Sequence, residues 1–240
     1  MASCPETGRG GLTTIRVPVA WPSRDIHEGV RVRLEPLMVS RHARDLFEAG
    51  REGEAAPHIW DYLPYGPFAD LAAMTDWLEN CACSADPMFF AIIDKLDGRA
   101  CGMCSWLRIT PAHAVIEIGH IWFARRLQRT AAATEALFLL FTEAMDGLGY
   151  RRIEWKCNAA NEGSRQAALR FGFTFEGVFR QHLVVKGRNR DTAWFSIIDS
   201  EWPERREAFR QWLDAGNFDE NGRQRQPLSS FMPKPGSPPG

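Results

Sequence analysis

The chain has 240 residues, of which 45% are hydrophobic and 25% charged, so it can bury a substantial core and is not disordered throughout. Its 29 lysines and arginines nearly balance 30 aspartates and glutamates, and a net charge of −1 gives no overall basic field to attract nucleic acid or an anionic membrane. No stretch of eighteen residues lacks a charged side chain, and the first 21 residues contain no apolar signal segment. We expect a cytoplasmic protein that binds neither nucleic acid nor a membrane.

Composition divides the chain into one domain and two tails. Residues 219–240 are rich in proline, glycine and serine and have almost no periodic apolar pattern. We assign residues 1–28 and 216–240 to flexible tails. Residues 29–215 form the predicted single domain, because a segment of this size suits one hydrophobic core and contains no visible linker.

The cysteine pattern predicts reduced thiols and no metal site. Six cysteines are scattered through the chain, which is unlike the dense disulfide framework of a small secreted domain. Cys101 and Cys104 form a CxxC within an apolar segment, without a second CxxC or a nearby pair of histidines to complete a zinc site. Buried thiols on a strand are therefore the favoured interpretation of this pair.

The first half of the domain predicts a β-α start followed by antiparallel strands. Alternating apolar residues predict strands, three- and four-residue spacing predicts helices, and a cluster of aromatic and turn-forming residues predicts an ordered loop. In chain order the predicted elements are a strand at 31–37, a helix at 41–50, an aromatic loop at 58–68, a helix at 69–80, strands at 88–94 and 100–109 joined by the turn Asp97–Gly98, and a strand at 114–124.

The second half predicts one β-α-β-α unit and a closing hairpin. Its strongest signal is a long helix from 129 to 149, with apolar residues at helical spacing and Gly149 at its end. The remaining predicted elements are a strand at 151–158, a helix at 162–171, strands at 173–185 and 191–199 joined by the turn KGRNRD, and a helix at 204–214. The order of these elements predicts a mixed α/β (α+β) fold.

The junction LQRTAAATEA, residues 127–136, is a candidate anion site. The first turn of a helix has unpaired N–H groups and about half a positive charge, so it can hold a phosphate. Gln128, Arg129 and Thr130 add side-chain donors. The segment has neither the GxxxxGKS/T nor the GxGxxG pattern, so an ordinary alanine-rich helix start stays open as the alternative.

Two segments, EIGHIWFARRLQRTAAATEA and NEGSRQAALRFGF, together resemble the GNAT superfamily of acyl-CoA N-acyltransferases, in its RimJ/RimL branch. Gln128, Ala131 and Ala133 occupy the three marked positions of the family's pyrophosphate loop, Q/R-x-x-G-x-G/A, although Ala131 replaces the first glycine. Alanine is compatible with that position if its φ is negative. Asn161 and Ser164 match the N-x-x-S motif of this branch. The resemblance extends over about residues 30–200.

The resemblance implies a GNAT fold, in which a mixed, mostly antiparallel sheet has splayed central parallel strands and helices on both faces. The splayed strands would be 115–124 and 151–158, with the pantetheine arm of the cosubstrate acetyl-CoA between them and no metal involved. The residues implied to bind CoA are Ile121, Trp122, Phe123, Gln128, Arg129, Thr130, Ala131, Ala132, Ala133, Asn158, Asn161 and Ser164.

Two residues are candidates for catalysis. Glu117 is the only acidic residue in the apolar run 114–124 and matches a glutamate of the family's strand, so it is the candidate general base, with a solvent-facing glutamate as the alternative. His120 is a competing base, and strict alternation puts it on the opposite face from Glu117. The family's usual tyrosine acid is replaced by Ala168. Ser164 is therefore the candidate proton donor to the CoA thiolate, unless it only begins a helix together with Asn161.

The resemblance also places the acceptor beside the aromatic loop, where Trp60, Tyr62 and Tyr65 are expected to bind substrate together with His120, unless the loop only packs onto the core. The basic turn 186–190 would meet an acidic acceptor or the CoA 3′-phosphate, or lie in solvent. The implied activity is transfer of an acyl group, most simply acetyl, from CoA to a primary amine by direct attack in a ternary complex. The acceptor would be a small amine or a protein N-terminus, a homodimer is left open, and a non-catalytic acyl-CoA-binding regulatory module is the alternative.

Overall fold

The computed structural model describes residues 15–53 and 56–233, and its framework is one eight-stranded sheet in the order β1-β2-β3-β4-β5-β6-β8-β7. The strands are β1 His27–Glu28, β2 Val32–Pro36, β3 Met88–Asp94, β4 Ala100–Thr110, β5 Val115–Phe123, β6 Arg152–Asn158, β7 Thr174–Val185 and β8 Arg188–Ile198. The α-helices are α1 Val39–Ala49, α2 Leu71–Cys83, α3 Ala131–Thr142, α4 Glu162–Arg170 and α5 Trp202–Leu213. The predicted α/β class is confirmed.

The sheet is antiparallel except at its centre, where β5 and β6 run parallel. Their pairing covers only three residue pairs, which end at Glu117 opposite Glu154. Beyond that point β5 stays paired with β4, and β6 stays paired with β8 as far as Asn158. The two central strands therefore diverge, and the predicted splay is confirmed.

Helix α3 is held against the sheet by a buried apolar face that the sequence pattern predicts. Leu137, Leu140 and Phe141 are all fully buried, and the Phe141 ring lies 5.5 Å from Phe173 and 5.8 Å from Phe209 on α5. The helix is shorter than the predicted range 129–149, because its last residues, Glu143–Gly147, form a π-helical turn. The first turn of α3, the candidate anion site, therefore belongs to a helix that is firmly packed against the sheet.

The described parts of both predicted tails lie against the domain. Residues 27–28, within the predicted tail 1–28, form the edge strand β1, and Tyr150 donates a hydrogen bond to the Ala20 carbonyl at 3.2 Å. Within the predicted tail 216–240, Leu228 is buried and Gln224 accepts a hydrogen bond from the Trp212 indole at 2.9 Å. The apolar residues that anchor these segments, such as Leu228, are isolated in the sequence. Neither segment therefore has a periodic pattern from which its packing on the domain could be predicted.

Cys101 and Cys104 are fully buried on β4, in agreement with the favoured interpretation of the CxxC. Across residues 15–53 and 56–233, no group of three or more His, Cys, Asp or Glu side chains is arranged to hold a metal ion. Over the same ranges, every helix is too short or too polar to cross a membrane.

Candidate active site

A cavity of about 430 Å³ opens where β5 and β6 separate. Its walls come from the loop after α1, the end of β4, the two splayed strands, the start of α4 and the β7–β8 hairpin, so six segments meet there. Of the residues selected from the sequence, seven line this cavity: Tyr62, Glu117, His120, Ile121, Asn158, Asn161 and Ser164.

Glu117 is a buried carboxylate held between two cations. Its Oε2 accepts a hydrogen bond from Lys156 Nζ at 2.8 Å and lies 3.1 Å from Arg108 Nε. Lys156 is itself buried, with Nζ 2.7 Å from Glu154 Oε2 and 4.0 Å from the ring centroid of Trp194. Burial raises the pKa of Glu117, and the charge of Lys156 opposes that rise. The side chain is therefore fixed in position and lines the cavity with a carboxylate that is easier to protonate than an ordinary glutamate.

His120 shares the cavity with Glu117, so the prediction that they occupy opposite faces is wrong. Ser105 pairs with Gly119 but Met103 pairs with Trp122, so His120 and Ile121 together face the single residue between Met103 and Ser105 on β4. This β-bulge adds one residue to β5 and gives His120 a φ of +50°, which breaks the alternation.

Burial in an aromatic environment sets the protonation state of His120. Its ring stacks on Tyr65, with Nδ1 3.3 Å from the Tyr65 hydroxyl, and it lies 5.0 Å from the Phe89 ring. Burial lowers the pKa of His120 to about 4. The imidazole is therefore neutral at pH 7. A base of this pKa takes up a proton less readily than an ordinary histidine.

Ser164 lies in the first turn of α4 and faces the cavity. Its backbone N–H donates to Asn161 Oδ1 at 3.0 Å, which is the helix cap that the sequence analysis gives as the alternative role of these residues. The Ser164 hydroxyl accepts a hydrogen bond from the Trp155 indole at 3.0 Å. Because the indole supplies the donor, the hydroxyl proton is available to another acceptor. Capping and proton donation are therefore compatible in one residue.

The start of α3 has the form of an anion site, although its residues do not line the cavity described above. Thr130 caps the helix, with its hydroxyl accepting from the Ala133 N–H at 3.1 Å, and the Gln128 side chain donates to the Phe123 carbonyl at 3.0 Å. Those two groups are occupied in this structure. Within the described residues, the N–H groups of Arg129, Ala131 and Ala132 have no hydrogen-bond partner. Ala131 is helical, so its φ is negative, whereas Arg129 has a φ of +61°.

The aromatic loop contributes unequally to the cavity. Trp60 is 3% exposed, donates to the Gly50 carbonyl and packs 5.1 Å from the ring of Trp122, so both tryptophans belong to the core behind the wall. Tyr62 lines the cavity and donates to the Ala160 carbonyl at 3.0 Å. Tyr65 is packed against Trp77, with ring centroids 4.2 Å apart, and burial raises its pKa. Of Trp60, Tyr62 and Tyr65, Tyr62 is thus the residue that lines the cavity.

The hairpin tip is tied to the same loop rather than left in solvent. Lys186 Nζ donates to the carbonyl of Trp60 at 2.9 Å and to that of Gly66 at 2.7 Å. The basic turn 186–190 therefore closes one side of the cavity, and Arg190 from this turn lines it.

Sequence reasoning did not select several residues that line the site, namely Arg108, Lys156, Cys157 and Thr192. Lys156 lies on the polar face of an alternating strand, which is typical of a solvent-facing side chain. The signal available for Lys156 was Glu154, two residues earlier on the same face, because a partly buried carboxylate is stabilised by a nearby cation. Arg108 has a φ of +48° at a register shift in β4, and no local sequence pattern predicts this irregularity of the backbone.

Comparisons with known proteins agree with this geometry. The model of the acetyltransferase (GNAT) domain matches residues 31–174. The ribosomal-protein-serine acetyltransferase of Escherichia coli (strain K12) is 33% identical over 101 residues, which amount to 42% of this chain and 56% of that relative. The match therefore spans little more than half of that relative's length.

A solved structure extends the similarity over almost the whole chain. The crystal structure of a GCN5-related N-acetyltransferase from Brucella melitensis superposes with a TM-score of 0.88 and 49% identity, covering 90% of this chain and 97% of that one. The chain belongs to the family of GNAT acetyltransferase domains. The predicted family membership is confirmed.

Proposed function

We propose that the protein is an enzyme that transfers an acetyl group from acetyl-CoA to a primary amine, by direct attack of the amine in a ternary complex. The observation that supports this most strongly is the meeting of a buried carboxylate, Glu117, and a helix-start hydroxyl, Ser164, in one cavity at the splayed strands. Family membership supports the acetyl group and CoA as donor. The acceptor is a small amine or a protein N-terminus.

The chain has backbone groups suited to acetyl-CoA. Past Glu117 and Glu154, the facing edges of β5 and β6 are not paired with each other, so an extended pantetheine arm can bond to them as an intervening strand would. The unpaired N–H groups at Arg129, Ala131 and Ala132 supply donors for a pyrophosphate at a helix start. When bound, acetyl-CoA supplies an activated acyl thioester.

Glu117 is proposed to take the proton that the amine must lose. An ammonium ion has no free electron pair, so attack requires the neutral amine and an acceptor for its proton. Glu117 is buried, lines the cavity and is held by Lys156 at 2.8 Å, which gives it a fixed orientation. Its raised pKa brings it nearer to the working range of a general base.

Ser164 is proposed to donate a proton to the departing thiolate. Its hydroxyl already accepts from the Trp155 indole, which directs the hydroxyl proton elsewhere. A thiolate with a pKa of about 8.5 is a good leaving group and needs only modest help. The altered pyrophosphate loop and the missing tyrosine are the features that favour a regulatory module. We nevertheless propose an enzyme, because a candidate base and a candidate donor line one cavity.

Calorimetry and a thiol-release assay test the proposal. We expect acetyl-CoA to bind and free CoA to appear when amines are added. A protein that binds acetyl-CoA but releases no thiol with any amine would be a regulatory module. No heat of binding at millimolar acetyl-CoA would contradict the proposed function itself.

Glu117→Gln tests the base. The variant keeps the size of the side chain and removes the proton acceptor, so we expect kcat to fall by about 10²–10⁴ with acetyl-CoA affinity unchanged. The loss should shrink as pH rises toward the pKa of the amine, where neutral amine forms without a base. In the wild type, activity should be lost as pH falls through the raised pKa of Glu117, above the ordinary glutamate value.

Glu154→Gln is the matched control, because Glu154 also bonds to Lys156 but is not among the residues that line the cavity. We expect its kcat to stay near that of the wild type. A Glu117→Gln variant as active as wild type at pH 7 would assign the proton transfer to His120 or solvent. Equal impairment of Glu117→Gln at every pH would assign Glu117 to positioning of the amine.

A cytoplasmic location, the absence of nucleic-acid and membrane partners, and the oligomeric state stay predictions of the sequence analysis. They require measurement on the purified protein and in cells.

A further inference from the structure

Arg190 is an arginine without a counter-ion on the wall of the cavity. It lies near the start of β8, opposite Leu183 of β7, and both residues line the cavity. Its Nε is buried and has no hydrogen-bond partner. Within the part of the chain that the structure describes, its guanidinium makes neither a hydrogen bond nor an ion pair.

This isolation distinguishes Arg190 from comparable arginines. Three other described arginines also have a buried Nε without a partner: Arg33, Arg165 and Arg206. Each of these places a terminal nitrogen on a carboxylate, at 2.6 Å, 3.3 Å and 2.9 Å respectively. Arg190 is partly buried, and this burial without a partner is unfavourable and lowers the pKa of its guanidinium. Its terminal nitrogens, which are not among the buried unpaired atoms, are open to a ligand in the cavity.

The nearby carboxylate does not fill this role. Glu117 is close enough to interact electrostatically with Arg190, but no ion-pair distance joins them. Its carboxylate is already held by Lys156 and by Arg108. The guanidinium of Arg190 therefore keeps its capacity to bind an anionic group from outside the chain.

We propose that Arg190 binds an anionic oxygen group of the amine acceptor, so that the substrate class is a compact amine that also carries a carboxylate or phosphate. This inference rests on the acetyltransferase function proposed above. A planar guanidinium offers a fork of N–H donors that matches such groups with two parallel hydrogen bonds. Thr192 and His182 line the same wall, with His182 Nδ1 3.0 Å from the Thr192 hydroxyl, and add polar groups beside the fork.

Two observations favour the acceptor over the phosphates of CoA as the ligand of Arg190. The helix start with the unpaired amides, residues 129–132, is not among the residues that line this cavity. Arg190 instead lines the same cavity as Tyr62, Glu117 and His120, the residues assigned to the amine and its proton. A volume of about 430 Å³ suits a small acceptor end rather than a folded surface.

The test compares acceptors with and without an anionic group, alanine with alaninamide and O-phosphoethanolamine with ethanolamine, and expresses each rate per concentration of neutral amine because the anionic group also changes the pKa of the amine. We expect wild-type kcat/KM to be at least about tenfold higher for an anionic member than for its neutral partner. Arg190→Met should abolish that preference and raise the acceptor KM, while acetyl-CoA affinity measured by calorimetry stays unchanged. A preference in the alanine pair would identify the group that Arg190 binds as a carboxylate, and a preference in the ethanolamine pair would identify it as a phosphate.

Several results would overturn the inference while leaving the proposed function intact. These are equal turnover of both members of each pair, turnover of the neutral members alone, and acetyl-CoA binding without turnover of either anionic amine. Weakened acetyl-CoA binding in Arg190→Met would assign Arg190 to CoA instead. Failure of acetyl-CoA to bind the wild type would contradict the proposed function, and the stability comparison below would still test Arg190.

Unfolding experiments give a readout that is independent of activity. Arg152 is the matched control, because its guanidinium is paired with Glu154 at 2.8 Å and with Glu176 at 2.6 Å. We expect Arg152→Met to lower the midpoint of urea unfolding and Arg190→Met to leave it unchanged or raise it, since a partly buried cation without an ion-pair partner is removed. If Arg190→Met destabilises the protein as much as Arg152→Met, the guanidinium is structural and the proposal fails.

Discussion

At the scale of single residues, the site depends on side chains whose charge is set by burial. His120 is the clearest case, because burial, together with the nearby charge of Arg190, lowers its pKa to about 4. The unfolded chain has an ordinary histidine pKa of about 6.5 and so binds more protons than the folded chain between these two values. Stability from this residue is therefore complete above pH 6.5 and is lost as pH falls toward 4.

His120→Asn tests this link between protonation and folding. Asparagine tolerates a positive φ and does not titrate, so the variant should lose less stability on acidification than the wild type. The difference between pH 7 and pH 4 should be roughly 3 kcal/mol, measured by urea unfolding at both values.

His113→Asn is the control for this experiment, because His113 is exposed and does not line the cavity. The wild-type loss of stability between pH 7 and pH 4 should be retained in this variant. If His120→Asn retains it as well, His120 is not held neutral in the folded protein.

At the scale of elements, the start of α3 combines two tasks that the sequence shows as one signal. Thr130 uses its side chain to cap the helix, and the amides of Ala131 and Ala132 stay unpaired. The side chain of Thr130 therefore stabilises the helix, whereas the N–H groups of the two alanines are available to a ligand.

Ala131→Pro should separate these tasks. Proline is tolerated at the first helical position and Thr130 before it is already extended, so the fold should survive. Loss of the Ala131 N–H should lower acetyl-CoA affinity by about tenfold, measured by calorimetry.

Ala131→Ser keeps the amide and serves as the control, with acetyl-CoA affinity near that of the wild type. Equal affinities of the proline and serine variants would place the pyrophosphate elsewhere on the chain.

The elements themselves were predictable, because apolar periodicity specifies which segments are strands and helices. The break in alternation at His120 was not, since a β-bulge depends on the register between β4 and β5 and not on residues within β5 alone. For the same reason, Glu117 could be selected from the sequence of β5, but its ion-pair partners Lys156 and Arg108, which lie on other strands, could not. Cross-strand neighbours follow from the sheet order, which local pattern does not specify.

At the scale of the whole molecule, the segment after α5 is part of the folded unit. Asn217 donates to the Trp212 carbonyl and to the Gln226 carbonyl, and Phe218 packs 5.2 Å from the Trp212 ring. Arg31, next to β2, lies over the same Phe218 ring at 5.1 Å. The segment thus links the last helix to the first strands of the sheet.

Leu228→Ala tests how much this segment contributes. Leu228 is 1% exposed, so its truncation should lower the free energy of unfolding by about 2–5 kcal/mol. Leu228 is not a lining residue of the cavity, so the KM for acetyl-CoA should not change.

Leu96→Ala is the control, because Leu96 is 95% exposed and should change the free energy of unfolding by less than about 0.5 kcal/mol. Equal effects of the two substitutions would show that residues after α5 are not part of the cooperative unit.

The charges around the cavity also rank the amines that can react there. Its lining holds three basic side chains, Arg108, Lys156 and Arg190, against two acidic ones, Asp61 and Glu117. An incoming ammonium ion meets this excess of positive charge, whereas a neutral amine does not. At pH 7 the α-amino group of a peptide, with a pKa of about 8, is neutral in roughly one molecule in ten, but a lysine side chain, with a pKa of about 10.4, in roughly one in 2,500. Peptide α-amines should therefore be acetylated in preference to lysine side chains.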